Sequence, residues 1–218
     1  MAKRIITRGG TGEITEKKSR FIASVFSVKT EEEAIDKIAE LKKKYWDARH
    51  NCWAYIISGD ESHGEILRCS DDGEPAQTAG RPMLDVLCSA ELTDVLVVAT
   101  RYFGGVLLGT GGLVRAYQAA AKAGLEASGM AEVLYGVRAD ITTDYTGLGK
   151  IQYVLAEQDI AVIDTRYEAD VTIEAMIPSE LKGQTEKAIL EKTAGQARIE
   201  YSDETAYIST ADGIKEIE

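Results

Sequence analysis

Apolar residues at 21–26, following the polar Lys17, Lys18 and Ser19, predict a strand. Ala34, Ile35, Ile38 and Leu41 then recur at helical spacing, which predicts a helix opened by Thr30 as N-cap with Glu33 three residues on. Lys42, Lys43 and Lys44 close it, and cations suit the negative end of a helix, so they read as helix-end charges rather than a binding patch. Residues 52–57 predict a second strand and 65–68 a short third. The β-branched run 93–100 predicts a strand buried on both faces. Leu113, Tyr117, Ala120, Ala121, Gly124 and Leu125 place a helix over 113–128, with Gly129 where a terminating glycine would stand.

In the second half, strands are predicted at 133–142, 160–167, 170–177 and 197–208, with helices at 147–158 and from Pro178-Ser179 through Lys192. That order is βαββαβ, the ferredoxin-like pattern. The fold class is therefore α+β with two domains, 1–134 mixed α/β and 135–218 ferredoxin-like.

The densest run of glycines lies between a predicted strand and a predicted helix. Gly104, Gly105, Gly109, Gly111 and Gly112 surround Thr110, with Arg101 and Arg115 at the two ends. Glycine admits positive φ and close backbone approach. A helix opening near Gly112 or Leu113 would aim unpaired N–H groups and its positive dipole end into the loop, and the arginines would add bidentate charge. These are the parts of a phosphate or carboxylate cradle; the alternative is a tight strand-to-helix crossing. No G-K-[ST] follows the glycines, and the spacing is not G-x-G-x-x-G, so neither a P-loop nor a dinucleotide fingerprint is present.

Asp71, Asp72 and Glu74 put three acids around Gly73 and Pro75. Such acids either cap the turn and a helix starting near Thr78 or bind a hard cation through oxygen; capping is the expected role, and no metal is assigned. His50 and Cys52, at i and i+2, project to one side if the strand begins at His50. No G-x-S-x-G signature accompanies them, so Cys52 reads as a small buried hydrophobe and no catalytic residue is assigned. His63 is expected in a solvated turn.

Composition narrows the functional classes. The 218 residues carry a net charge of −11, of which 1–134 contribute −2 and the remainder −9. An acidic chain is a poor non-specific nucleic-acid binder, so any RNA contact is expected to be local and confined to the first domain. The absence of a long apolar run and of a signal-peptide pattern points to a cytoplasmic protein without a membrane span. Cys52, Cys69 and Cys88 form no C-x-x-C pair, which argues against a disulfide framework or a four-ligand zinc site. There is no DNA-binding motif.

Three segments in order, His50-Asn51-Cys52-Trp53-Ala54-Tyr55, Ser70-Asp71-Asp72-Gly73-Glu74-Pro75 with Thr78-Ala79-Gly80, and Thr100-Arg101-Tyr102-Phe103-Gly104-Gly105 through Leu108 to Tyr117, closely resemble the IMPACT family, in its bacterial YigZ-like branch. The resemblance covers about 19–128; the second half looks like the smaller C-terminal domain of the bacterial members. It implies a first domain similar to domain IV of elongation factor G and a second similar to that factor's domain V. Eukaryotic relatives regulate translation through an additional N-terminal domain, so their kinase-pathway partner is not carried over. Gln77 stands where the family commonly has glycine.

The function expected is non-catalytic binding linked to translation regulation, with the ribosome or structured RNA as partner and no cofactor. The contact face would comprise the glycine-rich loop, Arg101, Arg115 and also Lys17, Lys18 and Arg20. The alternative is an enzyme on a small phosphorylated or carboxylated metabolite, using His50, Asp71, Asp72 or Glu74.

Overall fold

The computed structural model describes residues 3–59, 64–210 and 213–217. The chain divides into two units, Met1–Ala131 and Glu132–Glu218. In the first, the strands are β1 (Arg4–Arg8), β2 (Gly10–Glu16), β3 (Ser19–Ser27), β4 (His50–Ile57), β5 (Ile66–Ser70), β6 (Val95–Tyr102) and β7 (Gly129–Glu132). The helices are α1 (Glu31–Lys44), α2 (Gly80–Ser89) and α3 (Thr110–Glu126).

The apolar segment β6 forms the middle of an antiparallel sheet of order β2-β3-β6-β4-β5, and its residues Val95 to Ala99 are fully buried. Both faces are covered. Val95, Val97 and Ala99 pack with Met83, Leu87, Leu113 and Tyr117 from α2 and α3, whereas Leu96 and Val98 meet Ala34, Ile38 and Leu41 from α1. Burying a Val or Leu side chain contributes about 1.5–3 kcal/mol, so a strand covered on both faces anchors the domain. A separate two-stranded sheet pairs β1 with β7.

Thr30 caps α1 as expected, its hydroxyl accepting from Glu33 N at 3.1 Å. Ile35 departs from expectation: it is 58% exposed, because the buried stripe runs through Ala34, Ile38 and Leu41 alone. Helix α3 starts at Thr110, so Gly111 and Gly112 lie inside its first turn rather than in the loop before it. Gly129 opens β7 and does not end α3, whose cap is Ala127. Helix α2 starts at Gly80, close to the Thr78 start expected.

The second unit contains β8 (Leu134–Thr143), α4 (Tyr145–Glu157), β9 (Ala161–Tyr167), β10 (Val171–Pro178), a 3-10 turn leading into α5 (Lys182–Lys192), β11 (Arg198–Thr210) and β12 (Gly213–Ile217). The order β11-β8-β10-β9, all antiparallel, is the ferredoxin-like arrangement read from the sequence, extended at one edge by β12. One face of β10, Val171, Ile173, Ala175 and Ile177, is buried, while Thr172 and Glu174 are partly exposed; the expected alternation holds to there and fails at Met176, which is buried on the other face.

Candidate functional site

Three strands bring Phe21, Arg101 and His50 into one row, since Arg101 on β6 is directly opposite Phe21 on β3 and His50 on β4. Their face of the sheet is the one covered by α2 and α3, and beyond its end lies a cavity of about 390 Å³. Glu74, Arg101 and His50 line its polar side, and Pro75, Phe103, Leu107, Leu108 and Leu113 its apolar side. Gly109 and Thr110, at the opening of α3, and Arg49 complete the rim.

Arg101 does not present its charge to solvent. Its side chain is 7% exposed and its Nη1 donates to Glu74 Oε1 at 2.6 Å, Glu74 itself being 3% exposed. Nη2 donates to Ser19 Oγ at 3.3 Å. The guanidinium carbon lies 5.4 Å from the Phe21 ring centre and 5.6 Å from that of Phe103, within reach of both ring faces. Nε is buried with no hydrogen-bond partner among the described residues. The expected phosphate ligand at this position is therefore the cationic half of a buried pair, because three strands and a loop enclose it.

Tyr117 completes this network by donating its hydroxyl to the same Oε1 at 2.9 Å. Burial, and then the neighbouring thiol of Cys52, push the Tyr117 phenol far above its ordinary range, so it stays a donor. Cys52 is fully buried, and its single thiol proton has two acceptors, the Asp71 carbonyl at 2.9 Å and the Tyr117 oxygen at 3.3 Å. Burial pushes this thiol well above the usual cysteine range, leaving it unreactive, as its apolar neighbours suggested. Titration with an aromatic disulfide should accordingly find two thiols in the native protein, the exposed Cys69 and Cys88, and the third only after denaturation; three fast native thiols would contradict the network.

The acidic loop holds itself together. Asp71 accepts from Gln77 N at 2.7 Å, Ala79 N at 2.9 Å and Gly80 N at 2.8 Å, and so supplies the cap that Ala79 cannot give α2. Asp72 accepts from Asn51 N at 2.7 Å and from Lys42 Nζ at 2.6 Å. Among the described residues no group of three His, Cys, Asp or Glu side chains is placed to hold a metal ion. Gln77 has φ +62, a backbone conformation that glycine adopts without strain. His50 and Cys52 do share a side, and both reach the 71–72 backbone. His50 Nδ1 lies 2.9 Å from the Asp72 carbonyl, an acceptor only, which makes Nδ1 the donor of that contact. His63 lies outside the described residues.

The glycine-rich loop is positioned by a close approach. A Cβ on Gly104 would stand 2.0 Å from the Lys18 backbone, so the loop presses directly on the β2–β3 hairpin turn. That turn is formed by Lys17 at φ +43 and Lys18 at φ +68, values that glycine and asparagine favour, and both lysines are exposed. Gly109, at φ +72, precedes the first turn of α3 and provides no side-chain cap for it. Arg115 is exposed, its Nη1 folded back to 3.7 Å from where a Gly111 Cβ would be. Arg20, by contrast, is held in a two-pronged pair with Glu13, both contacts at 2.7 Å. Local sequence reading missed Tyr117 as a member of the site, having placed it only in the apolar stripe of α3, and missed Ser19 and Phe103.

The pattern that describes the Impact N-terminal domain matches residues 17–125. A second, described as a domain of unknown function (DUF1949), matches 141–196. The chain belongs to the IMPACT family. It is 38% identical over 213 residues to the IMPACT family member YvyE of Bacillus subtilis, covering 98% of this chain and 97% of that protein. With the IMPACT family member YigZ of Escherichia coli it shares 34% identity over 163 residues, 75% of this chain and 79% of that one. A solved structure described only as a hypothetical protein superimposes with a TM-score of 0.56 at 29% identity, covering 91% of this chain and 96% of that one. The site lies within the Impact N-terminal match, and no described helix in either domain is long and apolar enough to cross a membrane.

Proposed function

We propose that this IMPACT family member is a non-catalytic binding protein of the translation machinery that contacts the ribosome or structured RNA with the end of its first domain. The observation that carries this is the packing of the exposed Lys17-Lys18 turn against Gly104, which fixes two lysines on the glycine-rich loop that leads into the uncapped opening of α3. Two non-glycine residues held at positive φ cost about 1–2 kcal/mol each, and strain of this kind concentrates at functional sites. Unpaired N–H groups at Thr110, Gly111 and Gly112, together with Arg115 and Arg49, add further donors suited to phosphate oxygen. The resemblance to domain IV of elongation factor G favours ribosomal RNA as the surface met. Arg101 takes a supporting role, since its charge is already matched by Glu74.

Co-sedimentation with ribosomes across a salt series tests the proposal. The Lys17→Ala/Lys18→Ala/Arg115→Ala variant should bind more weakly, with a slope of log affinity against log salt flattened by roughly two to three, about one for each phosphate no longer neutralised. An unchanged slope would remove this face from consideration.

A further inference from the structure

Phosphate contacts account for the basic rim of the site but not for the apolar cavity behind it. A face that met only a duplex backbone would have no use for Leu107, 83% exposed, or for Phe103, 42% exposed beside the Arg101 guanidinium. Polar groups in the same cavity are unevenly satisfied. Arg101 Nε is a buried donor without a partner, on a side chain more than nine-tenths buried. Glu74 lines the same cavity with a carboxylate acceptor, and His50 adds a polar ring edge beside it. The Glu74 acceptor, flanked by an exposed aromatic ring and bounded by helix N–H groups, matches a flat heteroaromatic base that carries a phosphate. At about 390 Å³ the cavity is within the range of small-ligand sites and has room for one such unit.

We infer that the cavity receives a single unstacked nucleotide of RNA, its base against Phe103 and its phosphate at the opening of α3. The inference rests on the RNA-contact reading above and deepens it: the partner is single-stranded or looped RNA, because a base paired in a duplex cannot enter. The acceptor Glu74 favours bases that present an amino group, so adenine and cytosine should be preferred to uracil.

The test compares four probes by fluorescence anisotropy or competition: single-stranded hexanucleotides of adenylates and of uridylates, an RNA duplex of equal phosphate number, and free adenosine monophosphate. The hexanucleotide should bind at least tenfold tighter than the duplex and tighter than the same length of uridylates. Phe103→Ala, an exposed position whose variant can be checked by its melting curve, should bind the hexanucleotide about tenfold or more weakly, because the base loses its stacking surface, and should leave duplex binding unchanged. Equal binding of strand and duplex, unaffected by Phe103→Ala, overturns the cavity inference while leaving the RNA-contact face in place. Failure of both RNAs to bind overturns both. Free adenosine monophosphate binding as tightly as the hexanucleotide overturns RNA as the source and makes the cavity a metabolite site.

Discussion

Glu74→Ala should lower the unfolding free energy of the first domain by about 3–5 kcal/mol, the cost typical of removing one partner from a buried ion pair. The magnitude follows from what is left behind. Arg101, 7% exposed, would keep its charge without the 2.6 Å contact that matches it, and Tyr117 would be deprived of the acceptor for its hydroxyl. Arginine cannot escape by deprotonating. The double variant Glu74→Leu/Arg101→Met removes both charges and substitutes apolar volume, so it should come within about 2 kcal/mol of the parent, since buried pairs are often neutral against hydrophobic replacements. Urea unfolding followed by tryptophan fluorescence reads this domain alone, because both tryptophans, Trp46 and Trp53, lie within it. A loss below about 1 kcal/mol for Glu74→Ala would mean that water reaches the pair and screens it.

Such a pair is invisible to local sequence reading, and the reason is topological. Glu74 and Arg101 are 27 residues apart and meet only because β4, β6 and the 71–80 loop converge. What the sequence made legible was periodic or punctuated: the Thr30 cap, the doubly buried β6 and the βαββαβ order of the second domain. Strand β2 escaped because its letters are polar, and its place comes from pairing with β3. The opening of α3 escaped for the converse reason. Gly111 and Gly112 have poor helix propensity, yet they are helical because Leu113 N bonds back to the Gly109 carbonyl at 2.9 Å and Leu113 packs into the core. Within the first domain, the role of Arg101 was not legible, because its partner Glu74 comes from a distant loop. A side chain's partner, rather than its type, decides whether its charge is available to a ligand.

Asp71→Ala should be the other costly substitution, at about 2–4 kcal/mol, because one carboxylate serves three backbone donors at once. Among the described residues no other side chain caps α2, so Ala79 N and Gly80 N would be left to find water at a position where both residues are buried. Hydrogen exchange should show those two amides losing protection ahead of the β6 amides, and limited proteolysis should open the 71–80 loop first. Unaltered protection at Ala79 and Gly80 would sink the capping role. The same loop carries Glu74 to Arg101, with Glu74 N bonded to the Asp71 carbonyl at 2.9 Å. Loosening the loop therefore already weakens the buried pair. Asp71→Ala and Glu74→Ala combined should cost less than the sum of the two alone, by about 0.5–3 kcal/mol. Strict additivity would show that the loop and the pair are independent, and the geometry of the cavity would then have to be maintained by the strands alone.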